Sequence, residues 1–202
     1  MLAEPGTALG FARSVNGRHQ LASVTKSNAM QYAMVFWDEV FRDLQREYPD
    51  IACRQYHVDA MAARFVTAPE SLDVVVASNL FGDILTDLGG ALQGSLGIPP
   101  SGNINPEGRY HSMFEPVHGS APDIAGQGIA NPIAAIWAAS MMLDHLGHGD
   151  AGRLMMAAVE AVTGKGQVRT PDLGGRSTTE EVGEAIRAEI RAAGATRITT
   201  AR

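Results

Sequence analysis

The chain has 202 residues, of which 45% are hydrophobic and 19% are charged, a composition that excludes a disordered or fibrous protein and supports a sizeable core. Its formal net charge of −6 excludes a general nucleic-acid surface, because no basic stripe is available to displace counterions. The single Cys53 excludes an internal disulfide framework, and no apolar run has the length of a membrane span, so we expect a cytoplasmic protein.

The first half of the chain is predicted to alternate strands and helices. A continuous β-branched run predicts the strand at 73–77, while capping residues and prolines mark the helix ends. In order, the predicted elements are the end of a helix at 8–13, a strand at 19–25, a helix at 29–48 capped by Ser27 or Asn28, a strand at 53–58, a helix at 59–66, and a strand at 73–77.

The long helix predicted at 29–48 carries a narrow apolar seam. Ala33, Phe36 and Val40 widen this seam, so the helix is apolar on more than one side. The pattern fits either a core helix or a helix at a subunit interface. The seam residues recur at alternating spacings of four and three: Met30, Met34, Trp37, Phe41, Leu44 and Tyr48.

The second half is predicted to contain three helices behind a passage that is poor in regular structure. Gly, Pro and Asn dominate that passage, which makes it the best candidate for a domain boundary. In order, the elements are the passage at 94–108, a loop at 113–123, a helix to 146 that Asn131 and Pro132 begin, a helix at 151–162, a helix at 177–192 with Ser177 and Glu180 in capping-box spacing, and a loose tail at 195–202.

The segment after the third predicted strand carries the most informative pair of acids. Asp83 and Asp87 are four residues apart, so a helix places both carboxylates on one face. No Lys or Arg occurs at 78–97, so the pair suits a hard divalent cation, although a solvated helix face fits equally well. The opposite side of the helix is expected to carry an apolar stripe of Phe81, Ile84, Leu85, Leu88 and Leu92.

Two further polar residues occupy equivalent points on the other strand-to-helix units. Lys26 follows the first predicted strand and Asp59 follows the second, where open α/β sheets bind ligands. A lysine beside metal-binding carboxylates can act as a base or pair with substrate charge. Alone, Lys26 fits a surface lysine and Asp59 fits a helix cap, and it is their repetition at one sheet edge that favours a site.

Five motifs follow one another along the chain: TKSN at 25–28, SNLFGDILTDL at 78–88, EPVHGSAPDIAG at 115–126, ANP at 130–132 and PDLGG at 171–175. Together they resemble the β-decarboxylating dehydrogenases, the family of isopropylmalate, isocitrate, and tartrate or D-malate dehydrogenases. The residues at 104–107 and 112–115 are most similar to those of the tartrate/D-malate branch. The resemblance implies an α/β fold of isopropylmalate dehydrogenase type, present in part, with a parallel or mixed sheet flanked by helices.

The resemblance also implies roles for individual residues. Asp83 and Asp87 match metal-binding aspartates, and Asp59 matches a third, which also counts as a catalytic residue and which the family donates from the neighbouring subunit. Lys26 matches a catalytic lysine, also given across the dimer, that assists removal of the substrate hydroxyl proton. The residues that match nucleotide-binding positions are His118, Gly119, Ser120, Ala121, Asp123 and Asn131.

The implied nucleotide is NAD rather than NADP. In the family pattern, Asp123 accepts hydrogen bonds from the adenosine ribose hydroxyls, and its charge would repel a 2′-phosphate. Asn131 matches a residue that contacts adenine. The usual G-x-G-x-x-G fingerprint does not occur in a strand-turn-helix setting, which agrees with this family.

The implied reaction is the metal- and NAD-dependent oxidation, with decarboxylation, of a 2-hydroxy dicarboxylic acid such as D-malate, tartrate or 3-isopropylmalate. Mg²⁺ or Mn²⁺ would acidify the substrate hydroxyl and act as an electron sink while carbon dioxide leaves. The implied partners are this small-molecule substrate and a second copy of the chain, in a homodimer with an active site shared between subunits. Neither a nucleic acid nor a membrane is expected as a partner.

The chain departs from the family pattern because it begins where the middle of family members begins. We expect a truncated chain that lacks the N-terminal half of the site, including the substrate-binding arginines and the catalytic tyrosine. Residues 1–94 are expected to form the smaller, dimer-forming domain, incomplete at its N-terminus and carrying the lysine and the metal aspartates. Residues 95–202 are expected to form the C-terminal half of the larger nucleotide-binding domain.

Two other functions fit parts of the pattern. The chain could be a catalytically silent remnant that dimerises or binds metal. It could also be a metal-dependent hydrolase that uses the same aspartate pair, but the loop at 118–123 has no role in such an enzyme.

Overall fold

The computed structural model describes residues 18–200, with side chains described to residue 193. The predicted helix at 8–13 lies outside these residues. No helix in the described range is long and apolar enough to cross a membrane. The elements are β1 (Gln20–Thr25), α1 (Ala33–Glu47), β2 (Ala52–His57), α2 (Val58–Thr67), β3 (Val74–Val76), α3 (Asn79–Leu92), β4 (Pro100–Asn103), β5 (Met113–Pro116), α4 (Ile133–His145), α5 (Gly149–Lys165) and α6 (Thr179–Thr200), with 3₁₀ turns at Pro69–Ser71 and Pro171–Leu173.

The chain divides into two compact units, one ending at Gly89 and the other beginning at Gly90. The division falls within helix α3 and precedes the passage at 94–108 that the sequence favours as a boundary. From residue 19 onwards, the strands and helices predicted for the first unit are all present, with ends that shift by a few residues.

The first unit is built on a parallel sheet in the order β2-β1-β3. Thr25 of β1 pairs with His57 of β2, and Ser23 pairs with Val76 of β3, so the three strands end near one edge. Successive residues of β1 point to opposite faces of the sheet, where they enter two separate hydrophobic clusters, as expected for a parallel sheet covered on both sides. One cluster contains Leu21, Phe41, Ile51 and Val76, and the other contains Ala22, Val24, Met34, Met61, Phe81 and Leu85.

Helix α1 begins at Ala33, four residues later than the sequence predicted. The residues before it form a turn in which the backbone N–H of Met30 donates to the carbonyl of Lys26 at 2.8 Å. Ser27 and Asn28 lie within this turn and do not cap the helix, so the predicted cap is wrong.

The apolar seam of α1 faces the core of the first unit. Met34 and Phe41 are buried, whereas Phe36, which widens the seam, is 66% exposed. The Nε1–H of Trp37 donates to the hydroxyl of the buried Ser23 at 2.9 Å, which satisfies both polar groups. Further seam residues that pack against the core are Leu44 and Tyr48.

The second unit contains an antiparallel pair, β4 and β5, and the helices α4, α5 and α6. Neither strand of this pair was predicted, since β4 lies in the passage at 94–108 and β5 in the loop at 113–123. The β4 sequence, Pro-Ser-Gly-Asn, has low strand propensity, so the pairing depends on tertiary contacts. The core of this unit consists of Ile133, Ala158, Val159, Val162, Val182 and Ile186.

Helix α6 starts and ends later than predicted. Thr178 and Glu181 form the capping box in place of Ser177 and Glu180. The Thr178 N–H donates to the Glu181 carboxylate at 2.8 Å, and the Glu181 N–H donates to the Thr178 hydroxyl at 3.2 Å. The loose tail predicted at 195–202 is wrong as far as Thr200, where the helix ends, and positions 201–202 lie outside the described residues.

Candidate functional site

An ion pair joins Lys26 and Asp59 at the carboxyl edge of the parallel sheet. Lys26 Nζ donates to Asp59 Oδ1 at 2.7 Å. The pairing of Thr25 with His57 brings the residue after β1 next to the start of α2, and Asp59 lies in the first turn of that helix. Two of the polar positions that the sequence places after successive strands therefore meet within one chain.

The Asp59 carboxylate is ionised and open to solvent. The hydrogen bond from Lys26 lowers the pKa of Asp59 most, and a backbone hydrogen bond lowers it next. Burial raises this pKa by less than either hydrogen bond lowers it, and the charges of Lys26 and His57 add small decreases. Asp59 is 69% exposed and Lys26 is 26% exposed. Solvent screens such a pair, which therefore contributes little to stability and remains available to a ligand.

Asp83 and Asp87 lie one turn apart on the exposed side of α3. Their carboxylate oxygens, with no Lys or Arg at 78–97, suit a hard divalent cation. Among the described residues, no three His, Cys, Asp or Glu side chains lie close enough to hold a metal ion together. Asp59 therefore does not join the two acids of α3 within one chain, and these two need further ligands from water, substrate or another chain.

The apolar stripe predicted on α3 is wrong at two residues. Phe81 and Leu85 are buried, but Ile84 is 56% exposed and Leu92 is 47% exposed. A helix turns by about 100° per residue, so Ile84 lies away from the centre of the buried side. Leu80, one turn earlier, is 61% exposed, and the two form an exposed apolar pair beside the acids.

The predicted nucleotide-binding loop lies in the second unit, after β5. Ala121 has a φ of +43°, a left-handed conformation that costs energy in a residue other than glycine. The carbonyl of Ala121 accepts from the N–H of Ile124 at 3.1 Å, and the side chain of Gln127 donates to the carbonyl of Asp123 at 2.8 Å. The predicted residues that lie exposed on this loop are His118, Gly119, Ser120, Ala121 and Asp123.

Asn131, the remaining predicted nucleotide residue, is only 9% exposed and lies just before α4. Its Nδ2 donates to Asp172 Oδ2 at 2.9 Å, and the hydroxyl of Ser95 donates to the same oxygen. Sequence reasoning missed both partners. The PDLGG motif was an available signal for Asp172, whereas nothing in the sequence marked Ser95.

A parallel sheet flanked by helices, with Lys26 and Asp59 paired at its carboxyl edge, defines an α/β protein. The chain belongs to the isocitrate/isopropylmalate dehydrogenase family, whose model matches residues 6–186. The predicted fold class and the resemblance to this family are therefore confirmed.

The relatives extend the match to the tartrate and D-malate dehydrogenases. A probable tartrate dehydrogenase/decarboxylase of Bacillus subtilis is 56% identical over 181 residues, which are 90% of this chain and 51% of the relative. The decarboxylating D-malate dehydrogenase of Escherichia coli is 53% identical over 174 residues, covering 84% of this chain and 48% of the relative. The chain thus spans about half the length of these relatives.

A solved structure agrees with these matches. The isocitrate dehydrogenase of Methylococcus capsulatus superposes with a TM-score of 0.87 at 41% identity, over 93% of this chain and 55% of that one. The fold of the chain therefore corresponds to part of a larger dehydrogenase fold.

Proposed function

We propose that this chain acts as part of a metal- and NAD-dependent enzyme that oxidises and decarboxylates a 2-hydroxy dicarboxylic acid of the tartrate or D-malate type. The observation that carries the proposal is the Lys26–Asp59 ion pair at the carboxyl edge of the sheet, in a chain of this family. The names of the relatives support the substrate class.

In this proposal, the first unit supplies the metal ligands and a proton-handling group. Asp83 and Asp87 hold Mg²⁺ or Mn²⁺ through carboxylate oxygens, and Asp59 contributes to the ligand set of a second subunit. The cation would acidify the substrate hydroxyl and withdraw electron density during decarboxylation. Lys26 assists removal of the hydroxyl proton, a step that requires its Nζ to be neutral and therefore to have given up a proton first. Before that step, the ion pair with Asp59 holds the nitrogen at the edge of the sheet.

The second unit supplies the nucleotide-binding residues. The exposed carboxylate of Asp123 would accept from the adenosine ribose hydroxyls and disfavour a 2′-phosphate, so the nucleotide would be NAD, which would supply the hydride acceptor. Asn131 contacts the adenine. The exposed backbone of the loop at 118–121 offers further hydrogen-bonding groups without displacing any buried side chain.

Replacing Asp83 or Asp87 by Asn is expected to weaken Mn²⁺ binding roughly tenfold or more, because each exchange removes an anionic ligand for a hard cation. The affinity is measured by titrating the chain with Mn²⁺ while electron paramagnetic resonance reports the concentration of free Mn²⁺. Glu39→Gln, at an exposed acid on α1, is the matched control and should leave the affinity unchanged. If Glu39→Gln lowered the Mn²⁺ affinity as much as the Asp variants, the binding would depend on net charge alone, which would contradict the proposal.

An activity assay separates the proposed enzyme from a catalytically silent remnant. The chain is produced together with the part of the Bacillus subtilis relative that it does not cover, and NADH formation from tartrate or D-malate is followed. We expect turnover in this assembly and its loss in Lys26→Met. An assembly that binds both Mn²⁺ and NAD but forms no NADH would favour the silent remnant.

We further infer that the first unit forms a homodimer through a surface that includes α3. Leu80 and Ile84 expose most of their apolar side chains to solvent, one turn apart and next to Asp87. A second copy that covers this pair would bury apolar area. It would also bring groups of another chain towards the acids of α3, which have no third ligand among the described residues of their own chain.

Ile84→Asp is expected to raise the dissociation constant of the dimer by roughly tenfold or more, because it places a charge in an apolar contact next to Asp87. Sedimentation velocity at several chain concentrations gives this constant. Thr86→Asp adds the same charge on another side of α3, where the residue is also exposed, and should have little effect. A chain that stays monomeric at every concentration, or equal losses in both variants, would show that α3 is not part of the interface.

A further inference from the structure

A polar cluster in the second unit holds the side chain of Asn131 by both of its ends. The Oδ1 atom accepts from the backbone N–H of Ile133 at 3.0 Å, and Nδ2 donates to Asp172 Oδ2 at 2.9 Å. A flipped carboxamide would set its NH₂ against the N–H of Ile133 and its oxygen against the carboxylate. Two partners of opposite kind therefore fix a single orientation of this buried amide.

Asp172 is held in turn by Ser95. The Ser95 hydroxyl donates to Asp172 Oδ2 and accepts from the N–H of Gly97 at 2.8 Å. Burial raises the pKa of Asp172, but the hydrogen bonds from Ser95 and Asn131, together with the nearby Thr170 hydroxyl, lower this pKa by more. The Thr170 hydroxyl is buried and acts on the carboxylate, but it has no hydrogen-bond partner of ordinary geometry among the described residues. The carboxylate is thus ionised at neutral pH, which strengthens the bonds that it accepts.

The backbone of Gly97 closes the cluster on a third side. A Cβ on Gly97 would lie 2.8 Å from the Cβ of Asn131 and 3.2 Å from Asp172 Oδ2, so no space remains between this backbone and the pair. The carbonyl of Gly97 accepts from the N–H of Ala134 at 3.1 Å, which ties this segment to α4. The amide of Asn131 can therefore not relax by moving towards Gly97.

We propose that Asp172, supported by Ser95, is a positioning residue for adenine recognition. It holds the Asn131 carboxamide in the one orientation that presents the free N–H of Nδ2 and the free lone pair of Oδ1 to the base. This inference rests on the proposed function, in which Asn131 contacts adenine. It gives the PDLGG motif a physical role, since the aspartate of that motif acts on the nucleotide through Asn131 and not by direct contact.

The test measures AMP binding to the full 202-residue chain by calorimetry. Asp172→Ala is expected to weaken AMP binding roughly five- to tenfold, because the amide loses one of its two anchors. Asp172→Asn keeps an oxygen that can accept from Ser95 and Asn131, and it should rescue most of the affinity. Asp150→Ala removes an exposed acid of α5 in the same unit and should leave AMP binding unchanged.

The side-chain amide protons of Asn131, followed by heteronuclear NMR, report its orientation directly. In Asp172→Ala these signals should shift while the backbone signals of α5 and α6 stay in place. AMP binding that is equal in wild type and Asp172→Ala, or weakened without any shift of these amide signals, would overturn the role of Asp172. A wild-type chain that does not bind AMP would overturn the proposed function itself, and the role of Asp172 with it.

Discussion

Replacing Gly175 by Ala is expected to lower the free energy of unfolding of the second unit by about 3 kcal/mol or more. A Cβ on Gly175 would lie 1.9 Å from the carbonyl oxygen of Arg169 and 2.5 Å from the carbonyl carbon. Both atoms belong to the backbone, and the oxygen already accepts from the N–H of Ser177 at 2.8 Å, so it cannot move without weakening that bond. The intervening segment, which carries Asp172, must absorb the strain.

The two tryptophans allow this prediction to be measured on one unit at a time, since Trp37 belongs to the first unit and Trp137 to the second. In a Trp37→Phe background, the fluorescence of Trp137 during urea unfolding reports the second unit. Gly183→Ala on α6 is the matched control. Nothing lies within 4 Å of its Cβ, and the exchange should gain about 0.5–1 kcal/mol through reduced backbone entropy. If Gly175→Ala were as stable as its parent, the backbone at Arg169 would have to yield at no cost, contrary to our expectation.

The parallel sheet could be predicted from the sequence because its signals are local. β3 is a continuous β-branched run, and the sequence predicts a helix within a few residues of the end of each of the three strands. The pairing of β4 with β5 could not, because it joins Pro100 to Pro116 and Asn103 to Met113 across a loop, and neither strand has a marked propensity. The cap of α6 shows a different limit. Ser177 and Thr178 each have a Glu three residues later, so the spacing rule cannot choose between them.

The candidate site likewise has one part that the sequence predicts and one part that it does not. Lys26 and Asp59 could be predicted to meet, because parallel strands end at one edge and each residue directly follows a strand. The hydrogen bonds of Asp172 join residues 41 and 77 positions apart in the chain, from segments without a shared periodicity. Their meeting depends on how α4 and the 3₁₀ turn before α6 pack, which no local pattern encodes. The roles of the loop at 118–123 stay predictions that the binding experiments test.

Truncating Met61 to Ala is expected to lower the free energy of unfolding of the first unit by about 2–5 kcal/mol. Met61 is fully buried, two residues after Asp59 on α2. It packs in one cluster with Val24 of β1 and with Phe81 and Leu85 of α3. Met61 therefore packs in the core between α2, which carries Asp59, and α3, which carries Asp83 and Asp87. Alanine would leave a cavity there, because the sheet holds the surrounding backbone apart.

Urea unfolding in a Trp137→Phe background, followed by the fluorescence of Trp37, measures this loss in the first unit. Val66→Ala on the same helix is the matched control, since Val66 is 56% exposed and its truncation should change stability by no more than about 0.5 kcal/mol. A loss of less than about 1 kcal/mol for Met61→Ala would mean that α2 settles onto the sheet and fills the space. In that case Asp59 would shift together with α2. The Mn²⁺ titration of the Met61→Ala variant would then show whether the packing of Met61 against α3, in addition to the carboxylates, sets the Mn²⁺ affinity.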